Sequence, residues 1–353
     1  MGRSFRIAYL IDPRAPGGTS SAVAAELRAI AGLADIRVYA VTSKMFSGAE
    51  ISKNLREVFD ELEIHLIWDS EEIAADVVVA HNLVFLKFET EFPTRIVTPH
   101  LVVVVHENFT RRGGYEPFDV AHALGLLARS GAVIRRSLAP VSAFNRETVA
   151  NWLAGRPEAN VWTLLSEDWH NICDHRMIPP TSSPADRRGR HSRAGFEKFP
   201  SLDAMDLCFP ETAAANVILG ADTFIRDGIH RPHWQMLPFG SVELGEYFDM
   251  IDFMVYFCAA TLQESFGRVV TDAIAAGKVV ITDKATAANF GDGVITAEPE
   301  DVSDIVDHLV ANPSDYVRQA TDAQARLGAF SAEAFRARHA GLFDRASSEA
   351  ALS

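Results

Sequence analysis

From residue 264 the chain reads Glu264-Ser265-Phe266-Gly267-Arg268-Val269-Val270-Thr271-Asp272-Ala273-Ile274-Ala275-Ala276-Gly277-Lys278-Val279-Val280. The apolar run Phe253 to Cys258 just before it reads as a buried strand. Phe266 to Ala276 reads as a helix and Lys278 to Thr282 as the next strand, so the stretch is one strand–loop–helix–strand unit. Glu264 then lies in the loop at the helix N-terminus, and Asp272 follows roughly two turns later. The free N–H groups of the first turn lie between the two carboxylates, and a helix N-terminus favours a phosphate. One element therefore offers an acceptor, an anion site and a second acceptor in a row. That order suits hydroxyl groups on both sides of a diphosphate.

The same alternation extends outward in both directions. In the first half Phe5 to Ile11, Ile36 to Val41, Ile64 to Ile67, Asp76 to Ala80 and Leu101 to Val105 read as strands. Helical spacing recurs at Val23, Leu27 and Ile30, with Thr19 as the expected cap, then at Leu55 to Leu62, Asp119 to Arg129 and Asn145 to Leu153. In the second half Asn216 to Gly220 and Trp234 to Leu237 read as strands, and Val242 to Met250 as a helix. Strands alternating with helices predict parallel sheets covered on both faces. The Pro- and Ser-rich run Pro179 to Pro184 places a boundary near the middle of the chain. The expected plan is two doubly wound Rossmann-like domains facing a cleft, residues 1–178 and 179–330. A C-terminal helix at 331–353 has the option of crossing back to the first domain. Ligands are expected at the carboxyl ends of the strands.

Composition narrows the function classes. The 353 residues carry 33 Lys and Arg against 47 Asp and Glu, a formal charge of −14. Nucleic-acid binders show a basic face, so this balance disfavours such partners. Three well-separated cysteines argue against a disulfide framework and a cysteine-built zinc site, and fit a reducing, cytoplasmic setting. Residues 1–9 show no secretory pattern, and no apolar run approaches the ~20 residues of a membrane span. At most peripheral membrane contact is expected. No Gly-x-Gly-x-x-Gly and no Gly-x-x-x-x-Gly-Lys-Ser/Thr occurs, so the nicotinamide and P-loop fingerprints are absent. No Asp-x-Asp occurs either.

Three further segments carry polar chemistry. Arg187 to Lys198, with Arg188, Arg190, Arg193 and Lys198, reads as a basic loop opening the second half; a guanidinium and an ammonium from one loop suit a diphosphate. Pro16-Gly17-Gly18-Thr19 follows the first strand and lets backbone approach a ligand closely. His106-Glu107-Asn108 stands at the end of the strand Leu101 to Val105, where α/β proteins bind ligands, with His81-Asn82 and Pro99-His100 as rival positions. Each also has a bland reading, as a solvated loop, a tight turn and a structural histidine. His170, Cys173 and His175 fall close together but match no common metal spacing, and the Trp162 and Trp169 pair reads as packing.

Glu-Ser-Phe-Gly, an acidic residue eight positions on, and Ala-x-Ala-x-Gly-x-Val-Val resemble the signature of the retaining GT-B glycosyltransferases of family 4, bacterial surface-polysaccharide members included. The resemblance covers the second half well and the first half loosely. It implies a metal-independent hexosyltransferase with no cofactor, drawing on a nucleotide-diphosphate sugar as donor and a glycan, lipid-linked or small-molecule acceptor. It assigns Glu264 and His106 to catalysis. It assigns Arg190, Lys198 (with Arg193 competing), Ser265, Phe266 and Gly267 to the donor diphosphate, and Asp272 to the ribose. Gly17 and Gly18 border the phosphates and acceptor. Asp272 stands where the family usually has Glu, and the Arg190-to-Lys198 spacing is longer than the commoner form. The alternative class is a GT-B-like protein that binds a nucleotide-sugar or glycan without transfer.

Overall fold

The computed structural model describes residues 5–193 and 195–343. Residues 344–353 of the expected C-terminal segment, residues 1–4 and Ala194 of the basic segment lie outside them. The chain divides into two compact units. One comprises the residues up to Ile172 together with those from Phe330 onward, and the other is Cys173–Ala329. The first break thus precedes the proline cluster at 179–184.

The first domain is built on eight strands: β1 (Arg6–Ile11), β2 (Asp35–Ala40), β3 (Leu66–Trp68), β4 (Glu72–Ala74), β5 (Val77–His81), β6 (Arg95–Val105), β7 (Gly131–Pro140) and β8 (Thr163–Leu164). They run in the order β3-β2-β1-β5-β6-β7-β8, with β4 beside β6, and every pairing is parallel. The physical reason lies in sequences such as VVVAH in β5 and HLVVVV at the end of β6. β-branched residues fit a pleated surface, and near-continuous apolar runs are what a sheet covered on both faces needs. The core gathers Leu10, Val78, Leu101, Val103, Leu124, Leu127 and Trp152. Strand β7, which carries Arg135 and Arg136, is an element the alternation pattern did not mark.

The second domain has six parallel strands: β9 (Arg187–His191), β10 (Ala215–Leu219), β11 (Gln235–Leu237), β12 (Phe253–Tyr256), β13 (Val279–Thr282) and β14 (Ile295–Thr296). Their order is β11-β10-β9-β12-β13-β14. Its core centres on Ile218, Phe253, Val255, Ile281, Val306 and Tyr316. The returning helix Ala332–Phe343 belongs to the first domain: Phe335 meets the Trp169 ring edge-on at 5.2 Å, and Arg336 donates to the Ala29 carbonyl at 3.0 Å. Among the described residues no helix is long and apolar enough to cross a membrane.

Three sequence expectations change. Arg187 to His191 is not a loop but the central strand β9. Two of its three charges are absorbed by carboxylates: Arg187 forks onto buried Asp252, with two bonds of 2.8 Å, and Arg188 onto Asp186 at 2.6 and 3.0 Å. Gly189 is required between them because a Cβ there would sit 2.6 Å from Ile251 and the Tyr247 hydroxyl. The helix after Glu264 runs Arg268–Ala275, starting two residues later than Phe266, because Gly267 takes φ +93° at its N-cap. Thr19 is not a cap; the helix Gly18–Ile30 already starts at Gly18, with Gly17 (φ 77°) before it.

Candidate functional site

Each sheet has one topological switch point, where neighbouring strands lead to crossovers on opposite sides. In the first sheet it lies between β1 and β5, in the second between β9 and β12. Doubly wound sheets bind ligands at the carboxyl ends of such strands. The polar clusters of both domains stand there.

In the second domain the strand ends of β9 and β12 hold Arg190, Tyr256 and, just beyond, Glu264. The Glu264 carboxylate accepts hydrogen bonds from Lys198 Nζ and, at 2.7 Å, from the Tyr256 hydroxyl. Both members of the Lys198–Glu264 pair are largely buried, with side chains 13% and 14% exposed. Burial by itself would raise the Glu264 pKa. The Lys198 charge and hydrogen bond, the Tyr256 bond and the Arg190 charge outweigh it, and Glu264 ends below the usual carboxylate range.

Arg190 is fully buried and lies between two aromatic faces, its guanidinium carbon 4.8 Å from the Phe199 ring centre and 4.6 Å from that of Tyr256. Its Nε, NH1 and NH2 have no hydrogen-bond partner among the described residues. This corrects the surface-loop placement. Buried charges are normally paired, and a cation between rings gains some return from their negative faces. Its neighbour His191 is pushed down to about 4 by burial and by the Arg190 charge. Arg193 stands apart from this cluster: it is 56% exposed and pairs with Glu197 at 3.3 Å. Of the two candidates for the second basic role, the structure brings Lys198 to Glu264.

Phe266 is buried and meets Phe290 edge-on at 6.0 Å, while its carbonyl accepts from Asn289 Nδ2 at 3.1 Å. Ser265 and Gly267 flank it in the loop before the helix. Asp272 is turned to His175, Oδ1 to Nε2 3.2 Å. Burial raises its pKa against the lowering pull of Arg268 and His175. Cys173 takes a contact of 3.3 Å from the Thr271 hydroxyl, whereas His170 meets Arg338 in the first domain at 2.6 Å. Among the described residues no group of three or more His, Cys, Asp or Glu is placed to hold a metal ion.

In the first domain a pocket beside the Gly17-Gly18 turn is lined by Asp12, Thr19, Ser20, His81, Asn82 and Phe85. Gly17 offers its carbonyl to the Ser20 hydroxyl at 2.9 Å. Thr19 Oγ1 accepts from Asn82 Nδ2 at 3.1 Å, tying the start of its helix to the end of β5. His81 and His106, weighed as rivals in the sequence, are partners: Nδ1 of the first is 3.0 Å from Nε2 of the second. Burial, then the neighbouring His81, lowers His106 well below 6.5. Behind His81 stands Glu26, which accepts from Tyr9 at 2.5 Å and from the Trp169 indole at 2.8 Å. Glu26, Tyr9 and Tyr256 belong to none of the site motifs in the sequence. Glu26 had a signal: it stands one residue before Leu27 and three after Val23, on the apolar face of its helix.

No family model and no curated protein matches this chain in sequence. Solved structures do match in fold. HepE (Alr3699) from Anabaena, in complex with UDP and glucose, superposes with a TM-score of 0.67 at 15% identity, covering 95% of this chain and 98% of its own. A trehalose-6-phosphate protein from E. coli bound with UDP-2-fluoro glucose has a TM-score of 0.61 at 10% identity, with 96% and 99% covered. An alpha-glucosyltransferase in complex with UDP and a 13-mer DNA containing an HMU base has a TM-score of 0.56 at 11% identity, with 97% and 99% covered. The fold is GT-B, with two doubly wound parallel α/β sheets.

Proposed function

We propose that this protein is a retaining glycosyltransferase that moves a hexose or deoxyhexose from a nucleotide-diphosphate sugar, with UDP as the nucleotide, to a glycan, lipid-linked or small-molecule acceptor. The observation that carries this reading is the cluster of Arg190, Lys198 and Glu264 at the switch point of the second sheet. The three GT-B neighbours named above, each solved with UDP or a UDP-sugar, support the choice of donor. The reading extends to the family 4 resemblance, to surface-polysaccharide chemistry and to independence from metal.

In this reading Lys198, with Arg190 behind it, balances negative charge that develops on the leaving diphosphate, from groups already in place before the reaction. Glu264 contacts the donor sugar, and donor binding draws Lys198 partly away from it toward phosphate. Asp272 takes the ribose once released from His175. His106 and the Gly17-Gly18 turn serve the acceptor side. The anomeric carbon–oxygen bond to the diphosphate breaks as the bond to the acceptor oxygen forms on the same face. The leaving phosphate oxygen takes the acceptor proton.

A thermal-shift screen with UDP, GDP, dTDP and CDP, with and without magnesium, tests it. A ligand that binds only the native state stabilises it by about 2.7 kcal/mol at a hundred times its Kd. The expected result is a shift with UDP, indifferent to magnesium and lost in Lys198→Ala. No shift with any of the four at millimolar concentration overturns the reading. The Asp272–His175 pair, which occupies the carboxylate expected at the ribose, favours the second reading of a non-transferring nucleotide-sugar binder. A UDP shift without transfer or donor hydrolysis selects it.

A further inference from the structure

Glu26 lies 3% exposed beneath the first-domain pocket, an acidic side chain on the buried face of its helix. Such a group is expensive to bury unless its oxygens are bonded and its charge is answered. Both oxygens are bonded. Tyr9 is held well above 10, by burial and then by Glu26, so it keeps its proton and donates to Oε1 at 2.5 Å. The Trp169 indole, which can only donate, reaches Oε2 at 2.8 Å. The same Oε2 lies 3.5 Å from His81 Nε2, which has no other partner among the described residues. This contact is electrostatic rather than a formed hydrogen bond. An imidazole nitrogen facing a carboxylate oxygen carries a hydrogen, because two lone pairs facing each other repel.

The consequence passes along the ring. With its hydrogen on Nε2, His81 presents a lone pair at Nδ1. His106 Nε2 is 3.0 Å from that nitrogen, and one of the two must supply the hydrogen. The Tyr9 ring lies flat on His81, centroids 5.6 Å apart and planes 15° apart, which holds the ring in this orientation. We infer that Glu26 and His81 are positioning residues that hold His106 as its Nε2–H tautomer, leaving His106 Nδ1 as a hydrogen-bond acceptor for a substrate hydroxyl.

The groups that bear on this chain come from five elements. Tyr9 is on β1, Glu26 on the helix Gly18–Ile30, His81 on β5 and His106 follows β6. His339 comes from the returning helix, its ring tilted over Trp169 at 4.5 Å and within the influence of Glu26. Asp12 lines the pocket beside His81, but its carboxylate is already held by Arg14 at 2.6 Å. The C-terminal helix therefore packs on the residue that fixes Glu26, and through it reaches the ring at the end of β6.

The effect on turnover rests on the transferase reading; the tautomer does not. Histidine-selective 15N labelling of the full chain, with His106→Gln to assign the signal, reads the tautomer directly. In the wild type His106 should show a protonated Nε2 and an unprotonated, pyridine-type Nδ1. Glu26→Leu removes the acceptor that His81 Nε2 faces, so His81 is no longer held with its hydrogen on Nε2 and the His106 signal should move toward the Nδ1–H form. Turnover should fall by about 10- to 100-fold, the range for losing the orienting partner of a functional histidine in metal sites, with KM for the donor little changed. A wild-type His106 already in the Nδ1–H form overturns the inference, as does a tautomer unmoved in Glu26→Leu. The wild-type spectrum decides even if that variant fails to fold. A wild-type Nε2–H tautomer in a protein that transfers no sugar leaves the relay standing and removes the transferase reading.

Discussion

In the first domain Glu26 takes Tyr9 and Trp169 as donors and faces His81; in the second, Glu264 takes Lys198 and Tyr256, with Arg190 behind them. Both carboxylates stand beside the switch point of their own sheet and both take a tyrosine hydroxyl. They differ in how the negative charge is answered. Glu26 is bonded by neutral groups and its influence is passed on through two imidazoles, which suits a group that sets where a proton sits. Glu264 is answered by two full positive charges, of which one, Arg190, has no hydrogen bond of its own among the described residues. An excess of buried cation over partners costs stability, and it is the kind of cost found where an anionic ligand is to be bound. Under the proposed function, the first domain's cluster places a proton and the second domain's cluster stabilises charge.

The strongest blow to this contrast would fall on Glu264. Glu264→Gln keeps an acceptor for Tyr256 but removes the charge that faces Lys198. Sugar transfer should drop by about 10²-fold or more, the scale for losing one preorganised polar group, while circular dichroism stays unchanged. Near-normal turnover would end the assignment of this cluster to chemistry.

A pH experiment sharpens the first-domain side. Burial, then the Arg338 charge, lowers His339 from 6.5 to about 4, against the raising pull of Glu26 and of a backbone bond from Asp168. A histidine whose folded pKa is depressed stays neutral in the native state while the unfolded chain takes up a proton. Its stabilising contribution is whole above 6.5 and is lost as pH falls from 6.5 toward 4. The shift corresponds to a loss on the order of 3 kcal/mol across that window. His170, lowered to about 3 by burial and then by Arg338, carries the same sign. Urea midpoints at pH 7 and pH 5 should therefore converge in His339→Phe relative to the wild type. Equal slopes in both would mean that the ring titrates normally in the fold.

The smallest effect is expected from Arg190→Met. The substitution preserves much of the volume between Phe199 and Tyr256 while removing three nitrogens that have no hydrogen-bond partner among the described residues. Unsatisfied buried groups cost about 1–3 kcal/mol each to bury, and their removal is offset by the lost attraction to Glu264. The melting temperature should stay level or rise slightly, and the UDP-induced shift should shrink. A steep loss of stability instead would make Arg190 a structural member of the core.

Much of the fold was legible, since periodicity and β-branching mark buried parallel strands directly. The alternation located β1, β2, β5, β10, β12 and β13 to within a residue or two, and Glu264 in its loop before a helix. It failed at β9, where RRGRH looks solvated because three of its five residues carry charge. The strand exists because Asp252 and Asp186, distant or adjacent in sequence, neutralise two of those charges in three dimensions. The site was legible in part. Glu264 and Lys198, and His81 and His106, were on the page as separate motifs, but nothing local shows that each pair is in contact. Glu26, Tyr9 and Tyr256 stayed hidden because a helix Glu and strand tyrosines are ordinary residues until their partners are known.

By itself the sequence determined the alternation of strand and helix, and with it the sheets, their covered faces and the strand ends where polar residues collect. These follow from hydrophobic periodicity, which is a property of neighbours along the chain. Tertiary structure alone decided which charges meet. Lys198 and Glu264 are 66 residues apart, and Trp169 and Glu26 are 143 apart. A contact across that distance is specified by the packing of whole elements and leaves no mark in the spacing of either residue.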